Sequence, residues 1–257
     1  MKQLLIIPQQ DALEEYLSVA EENKLGFEYN DFFLPNLLDD EEKSKDVIAK
    51  YKACELPKFT TLHGAFFDVI PFSVDKRIRE ISDKRIRQSI EIAKELGAKA
   101  VIFHTNYNPF LNSPAYVDSW IRINAEYWGG ILQEYSDINI YLENMFDTTP
   151  NLMAALSEQL CGYANYGVCL DYAHASLSKV APEVWAERLG KYVKHIHIND
   201  NDLVSDLHLA WGDGKINRES FYQCYEKYMK GASVLIETSA MENIKKSLEM
   251  LKKENFI

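Results

Sequence analysis

Apolar runs alternate with amphipathic stretches along the whole chain. Residues 4–8 form a short apolar run ended by proline and read as a first strand, followed at 11–22 by Leu13, Tyr16, Leu17 and Ala20 at helical spacing. Residues 26–35 (GFEYNDFFLP) read as an aromatic second strand, 39–52 as a charged helix, and 58–66 as a third strand. The spacing of Ile78, Ile81, Ile86, Ile90 and Ala93 predicts a helix over 75–96, stopped by Gly97. Residues 98–104 (AKAVIFH) are continuously apolar and rich in β-branched side chains, as in a strand buried on both faces. An aromatic loop and helix fill 105–135. Strands follow at 137–143, 166–171, 192–198 and 232–237, with helices at 150–160, 182–189, 218–229 and 241–253.

About eight strand–helix alternations with no linker and no charge block predict a single α/β domain over 1–257, a closed (β/α)8 TIM barrel. A doubly wound open sheet is the competing architecture, but no G-x-G-x-x-G turn or P-loop follows the first strand.

Composition narrows this picture. The chain has 257 residues, 47% of them hydrophobic, enough for a large core. Its net charge of −11 argues against a generally basic nucleic-acid surface, although a local groove stays open. The four cysteines make no C-x-x-C pair and read as free thiols of a reducing compartment. There is no signal-peptide pattern and no membrane-spanning run, so a cytoplasmic protein is expected.

The expected strands end on chemistry. The third ends at His63, the fourth at His104, the fifth at Glu143, and the sixth at Asp171 with His174 three residues on. The seventh ends at His197, with Asp206 and His208 in its loop, and the eighth at Glu237. In a parallel barrel these ends share one face, where reactive groups are placed. Taken singly, each has a plain alternative: Glu143 and Asp171 both stand where helix caps stand. Taken together, buried carboxylates would repel one another, and a cation resolves that. Histidine and carboxylate without cysteine suit zinc or manganese, with cobalt or magnesium as further candidates.

Residues 194–214 hold the densest chemistry, with three of the chain's six histidines. His195 shares the face of His197 and is expected one layer deeper, as a hydrogen-bonded core histidine. Asp200 and Asp202 are expected to shape the loop or orient His197, and Asp213 to sit in a turn.

The ordered set LHGAF (62–66), IFHT (102–105), YLEN (141–144), CLDYAHA (169–175), HIHIND (195–200), DLHLAWGDG (206–214) and LIET (235–238) resembles the xylose-isomerase-like barrel superfamily. That superfamily holds sugar and sugar-phosphate isomerases and epimerases, and the endonuclease IV group of abasic-site nucleases. The epimerase resemblance implies one metal on Glu143, Asp171, His197 and Glu237. The nuclease resemblance implies three zinc ions, adding His63, His104, His174, Asp206 and His208. The nuclease group's Pro-Tyr after the first histidine and its E-N-T-A-G stretch are replaced here by Gly64-Ala65-Phe66 and Glu143-Asn144-Met145-Phe146. The loop after His104 carries one basic residue, Arg122, fewer than a DNA groove calls for.

The favoured expectation is therefore a metal-dependent sugar or sugar-phosphate isomerase or epimerase. It moves a proton through a metal-stabilised enediolate, with Glu143 and Glu237 as the proton-transferring pair. His63, His104, His174 and His208 are then substrate contacts, and Phe66, Tyr107 and Trp211 supply apolar surface for the sugar. The alternative is an endonuclease IV-like phosphodiesterase with a polynuclear site. A non-enzymatic sugar-binding barrel ranks third, since binding alone does not call for so full a set of ionisable groups. Homo-oligomerisation is left open, with 107–128 read as a lid or a subunit contact.

Overall fold

In the computed structural model, which describes residues 2–66 and 68–257, eight parallel strands close into a barrel in sequence order. They are β1 (Leu4–Ile6), β2 (Gly26–Tyr29), β3 (Thr60–His63), β4 (Ala100–His104), β5 (Asn139–Glu143), β6 (Tyr166–Asp171), β7 (Val193–Ile198) and β8 (Ser233–Ile236). β8 pairs with β1 and leaves no open edge. The helices of the outer ring are α1 (Leu13–Asn23), α2 (Pro35–Leu38), α3 (Glu41–Lys52), α4 (Lys76–Leu96), α5 (Pro114–Glu134), α6 (Asn151–Leu160), α7 (Tyr172–Leu177), α8 (Pro182–Leu189), α9 (Arg218–Tyr228) and α10 (Met241–Lys253). The (β/α)8 barrel is thus as the apolar periodicity predicts. No helix among the described residues is long and apolar enough to cross a membrane.

Local signals set the element ends. Asp75 caps α4 by accepting from the Arg77 amide at 2.7 Å, and Gly97 ends it at φ 71°. Two boundaries differ from expectation. β2 stops at Tyr29, because Asp31–Phe33 turns into a 3-10 helix and Pro35 starts α2. The segment after Asp171, to which the periodicity assigns no element, is the short helix α7, started by the Asp171 carboxylate accepting from the His174 amide at 2.7 Å.

Side chains alternate across each strand, so the barrel wall has two unlike faces. The outer face is apolar: Ile6, Phe27, Leu62, Phe103, Leu142, Leu170, Ile196 and Ile236 pack with the helices in one continuous core. Inside, Leu5, Ile7 and Leu235 form a small separate cluster, and polar groups such as Glu28, Thr61, His195 and Ser233 fill much of the rest. β6 and β7 carry a register shift at Val168/Cys169, which pairs Val168 with Val193 and Cys169 with His195. The alternation along β7 is broken there: Val193 joins the outer core, while His195 and His197 face inward.

Gly26 is required by close approach: a Cβ there would lie 2.3 Å from the Phe59 carbonyl oxygen, a backbone atom that cannot step aside. Gly26→Ala is expected to destabilise the fold by about 1–3 kcal/mol, read as a lowered urea midpoint with an unchanged slope.

Candidate metal centre

The mouth of the barrel gathers the strand-end residues around the Glu143 carboxylate. Its Oε2 lies 3.4 Å from His63 Nε2 and 3.5 Å from His104 Nε2. Its Oε1 lies 3.3 Å from His197 Nδ1 and 3.7 Å from His174 Nδ1. His197 Nδ1 also stands 3.5 Å from Glu237 Oε1. Glu143, Asp171, His197 and Glu237 each present one ligand atom within 4.8 Å of the others. Ligands about 2.0–2.2 Å from a shared ion lie no more than about 4.4 Å apart, so small side-chain movements bring all four onto one cation.

The imidazoles are already turned for this. A carbonyl only accepts, so His63 Nδ1 donates to the Gly64 oxygen (3.0 Å), His174 Nδ1 to the Asn144 oxygen (2.9 Å) and His208 Nδ1 to the Glu237 oxygen (3.0 Å). Each bond leaves Nε2 to face a carboxylate: Glu143 for His63, and Asp206 Oδ2 for His174 (3.2 Å) and His208 (3.1 Å). His208 holds this pose on a left-handed backbone, φ 47°, a costly conformation for a side-chain-bearing residue.

Burial opposes charge throughout, and the neighbours decide the outcome. Burial would push the Glu143 carboxyl up, but the imidazoles of His197 and His104 hold it well below its usual range. Glu237 is held at about 2 against burial, chiefly by His197. Burial drives Asp171 well above the carboxylate range, and the charges of Glu237 and Glu143 add to that. His197 and His174 are held well above the ordinary imidazole value despite burial, by surrounding carboxylates and, at His197, by the Cys169 sulfur as well. Protons therefore do here what a cation does elsewhere.

The fit to a metal is tested by the atoms left over. Both Glu143 oxygens, Asp171 Oδ2 and both His197 nitrogens are buried without a hydrogen-bond partner, a concentration of unmet polar atoms that protein interiors rarely tolerate. A divalent cation satisfies Glu143, Asp171 and His197 Nδ1 together, and the residues fit one. Two further groups approach ligand geometry. His63, His104 and Glu143 offer a second position. Cys169, His195 and His197 offer another, but His195 is committed to Ser233 Oγ (2.7 Å) and Glu28 Oε2 (3.1 Å), and burial pushes the Cys169 thiol well up. His195 is thus the hydrogen-bonded core histidine that its place below His197 predicts.

Above the centre lies a cavity of about 730 Å³, with His63, His104, His174, His208, Phe66 and Glu237 on its wall. Asp206 is on it too, whereas Glu143, Asp171 and His197 lie fully buried behind. Tyr107 and Trp211, expected to contact substrate, are not on the wall. Tyr107 is buried against Trp120 and donates to the Leu111 carbonyl (3.1 Å). Trp211 is buried against Phe221 with its indole N–H on Tyr222 Oη (3.0 Å). Each has its polar tip engaged and its ring packed, which corrects that expectation.

Asp200 and Asp202 shape the loop and do not touch His197. Asp200 accepts from the amides of Asn201, Gly212 and Ile216, and Asp202 from those of Val204 and Ser205. The sequence reading missed Glu28 on β2. Its Oε1 lies 3.2 Å from His197 Nε2, and its Oε2 accepts from Thr61 Oγ1 at 2.7 Å. An acidic residue between two buried aromatics, Phe27 and Tyr29, was the signal available. Asn199, which donates to Glu237 Oε2 (3.1 Å), and Asn144, which bonds both backbone groups of Asp171 (2.9 Å each), were also missed.

Residues 19–254 match the model of a family described as xylose isomerase-like TIM barrel. The chain belongs to that family. Among the relatives of this xylose isomerase-like barrel is an uncharacterized protein of Methanocaldococcus jannaschii, 31% identical over 74% of this chain and 68% of the relative. A fructoselysine 3-epimerase of Shigella flexneri is 27% identical over 55% of this chain and 53% of its own length. A probable endonuclease 4 of Mycobacterium leprae is 26% identical over 73% and 75%. Among solved structures, a Thermus thermophilus protein soaked with ZnCl2 superposes with a TM-score of 0.78 at 22% identity, covering 98% and 97% of the two chains. A D-tagatose 3-epimerase-like protein superposes with a TM-score of 0.76 at 24% identity, covering 98% and 96%.

Proposed function

We propose that this xylose isomerase-like barrel is a divalent-metal-dependent sugar isomerase or epimerase. The observation that carries the reading is the pairing of Glu143 and Glu237, on different strands, across His197 Nδ1 at 3.3 and 3.5 Å, behind a cavity of sugar size. Glu143, Asp171, His197 and Glu237 would hold the metal. When bound, the metal stabilises negative charge that builds on a carbonyl and its neighbouring hydroxyl.

The chain's own residues do the rest. Glu237, the carboxylate on the cavity wall and ionised at neutral pH, takes the proton from the carbon beside the carbonyl. Asn199 holds that carboxylate in place at 3.1 Å. The C–H pair stays on the substrate as an enediolate, and a carboxyl group returns a proton to carbon. Return to the opposite face of the same carbon inverts it, and return to the former carbonyl carbon isomerises the sugar. We assign the second transfer to Glu143, which is ionised at rest and passes on a proton relayed from His63 Nε2 at 3.4 Å, while the proton taken by Glu237 leaves to water in the cavity. Imidazoles of His63, His104, His174 and His208 line the same cavity and suit sugar hydroxyls. The epimerase relatives support this reading at the level of reaction class.

A second reading is favoured by one observation. His174 and His208 both turn Nε2 to Asp206, and His63 and His104 both turn Nε2 to Glu143. That arrangement offers one more gathered metal position, at His63, His104 and Glu143, and a His174, Asp206 and His208 cluster beside it, as a phosphodiesterase with a polynuclear site would use. The two readings are separated by incubating metal-loaded protein with free and phosphorylated ketoses in deuterated water, and with an abasic-site duplex. Deuterium on a substrate carbon, with an intact duplex and one metal per chain by elemental analysis, is the expected result. A nicked duplex, no exchange and two or three metals per chain would reverse it.

A further inference from the structure

A second cavity of about 620 Å³ adjoins the first, and Met145, His174 and Asp206 are wall to both. We infer that it receives the non-reacting arm of the substrate, and that this substrate is an unphosphorylated sugar bearing an apolar arm with a hydrogen-bond donor. The inference rests on the isomerase or epimerase reading and names the class of sugar.

Three observations support it. The first is apolar surface in an unusual place. Phe110 is 91% exposed and Phe146 is 56% exposed, and both line the second cavity beside Leu177. Large aromatics left bare next to a reactive pocket mark a surface that something covers. Phe146 stands three residues after Glu143, so whatever rests on it is held close to the reacting carbon.

The second is a carboxylate with a free acceptor. Asp147 lines the same cavity at 4% exposure. Its Oδ2 accepts from Thr105 Oγ1 (2.6 Å) and from the Met145 amide (3.2 Å), while Oδ1 has no partner. Burial raises this carboxyl to about 6, and a small turn of the side chain would bring the shielded Oδ1 to a donor on the arm.

The third is charge. Among the described residues, neither cavity has a lysine or arginine on its wall, whereas Asp31, Asp147, Asp206 and Glu237 are all there. The positive charge on these walls is that of imidazoles, and those of His174 and His208 are already paired with the Asp206 carboxylate at 3.2 and 3.1 Å. A phosphate dianion placed here would have to compete with Asp206 for these imidazoles and finds no lysine or arginine fork to hold it. An amine-bearing or neutral arm meets complementary charge.

The test uses the metal-loaded full chain and the ketohexoses fructose, psicose, tagatose and sorbose. Each is offered as the free sugar, as its 6-phosphate and with a benzylamino group on carbon 1. Proton exchange gives kcat/KM, and calorimetry on the protein as purified gives affinity without turnover. The best benzylamino ketose is expected to exceed its free counterpart about tenfold in kcat/KM, the equivalent of about 1.4 kcal/mol, with the 6-phosphate the poorest. Phe146→Ala is expected to bring that ratio close to one and to weaken calorimetric binding of the benzylamino ketose about tenfold. A 6-phosphate that is the best of its three overturns the inference while the isomerase reading stands. So does an unchanged ratio in Phe146→Ala, above all if that variant also converts an oligomer to a monomer, which assigns the aromatic surface to self-association. Absence of exchange with every ketose removes the isomerase reading and the inference with it.

Discussion

Glu237→Gln is expected to lower proton exchange by about 10²–10⁴-fold, the usual worth of a positioned acid–base group. The amide keeps the volume and can still accept from Asn199, but it has no charge and takes no proton. One complication is built into the site, because Glu237 is also one of the four grouped ligand atoms. The variant is therefore compared with wild type at equal metal content, measured by elemental analysis. A loss that persists at full loading belongs to the proton transfer. Wild-type exchange at full loading would remove Glu237 from the mechanism.

Glu28→Gln is expected to weaken metal binding about 10–100-fold, the range seen when an outer partner of a metal-bound histidine is removed. His197 presents Nδ1 to the four-residue group and Nε2 to Glu28 Oε1 at 3.2 Å. With a carboxylate on that side, the proton sits on Nε2 and the lone pair stays on Nδ1. Oε2 serves His195 and Thr61 as well, so the one acceptor of a glutamine cannot meet all three donors. Competition against a chelator of known affinity reads the change, and circular dichroism checks that the barrel is intact. Unchanged affinity would leave Glu28 a part of core hydrogen bonding only.

Much of the candidate site is legible in the chain because a parallel barrel converts strand ends into a list. One inward residue per strand at a fixed height is a linear signal, and His63, His104, Glu143 and His197 carry it. Glu28 was hidden by a boundary. GFEYNDFFLP reads as one aromatic strand, and over such a length its glutamate has no defined height, whereas the folded strand ends at Tyr29. Trp211 and Tyr107 fail for the opposite reason. They stand near histidines in sequence, but loop direction decides where a side chain goes, and hydropathy does not record it. At Asp171 the sequence posed a choice, helix cap or site residue, that the fold does not force. Oδ1 caps α7 at the His174 amide, while Oδ2 stands 3.3 Å from His174 Nδ1 at the metal group.

The two unlike faces of the barrel wall also bear on how such a chain changes over time. Most of its apolar packing lies outside the strands, between them and the helices, while the inner face, apart from the small cluster of Leu5, Ile7 and Leu235, carries hydrogen bonds and charge. Substitutions on the two faces therefore draw on different reserves. An exchange among the inward polar residues alters chemistry and leaves the outer apolar packing in place, at the cost of whatever buried ion pair it breaks, as between Glu28 and His195. A lineage built on this wall can try new reactions one inward side chain at a time, with the helical ring as its constant.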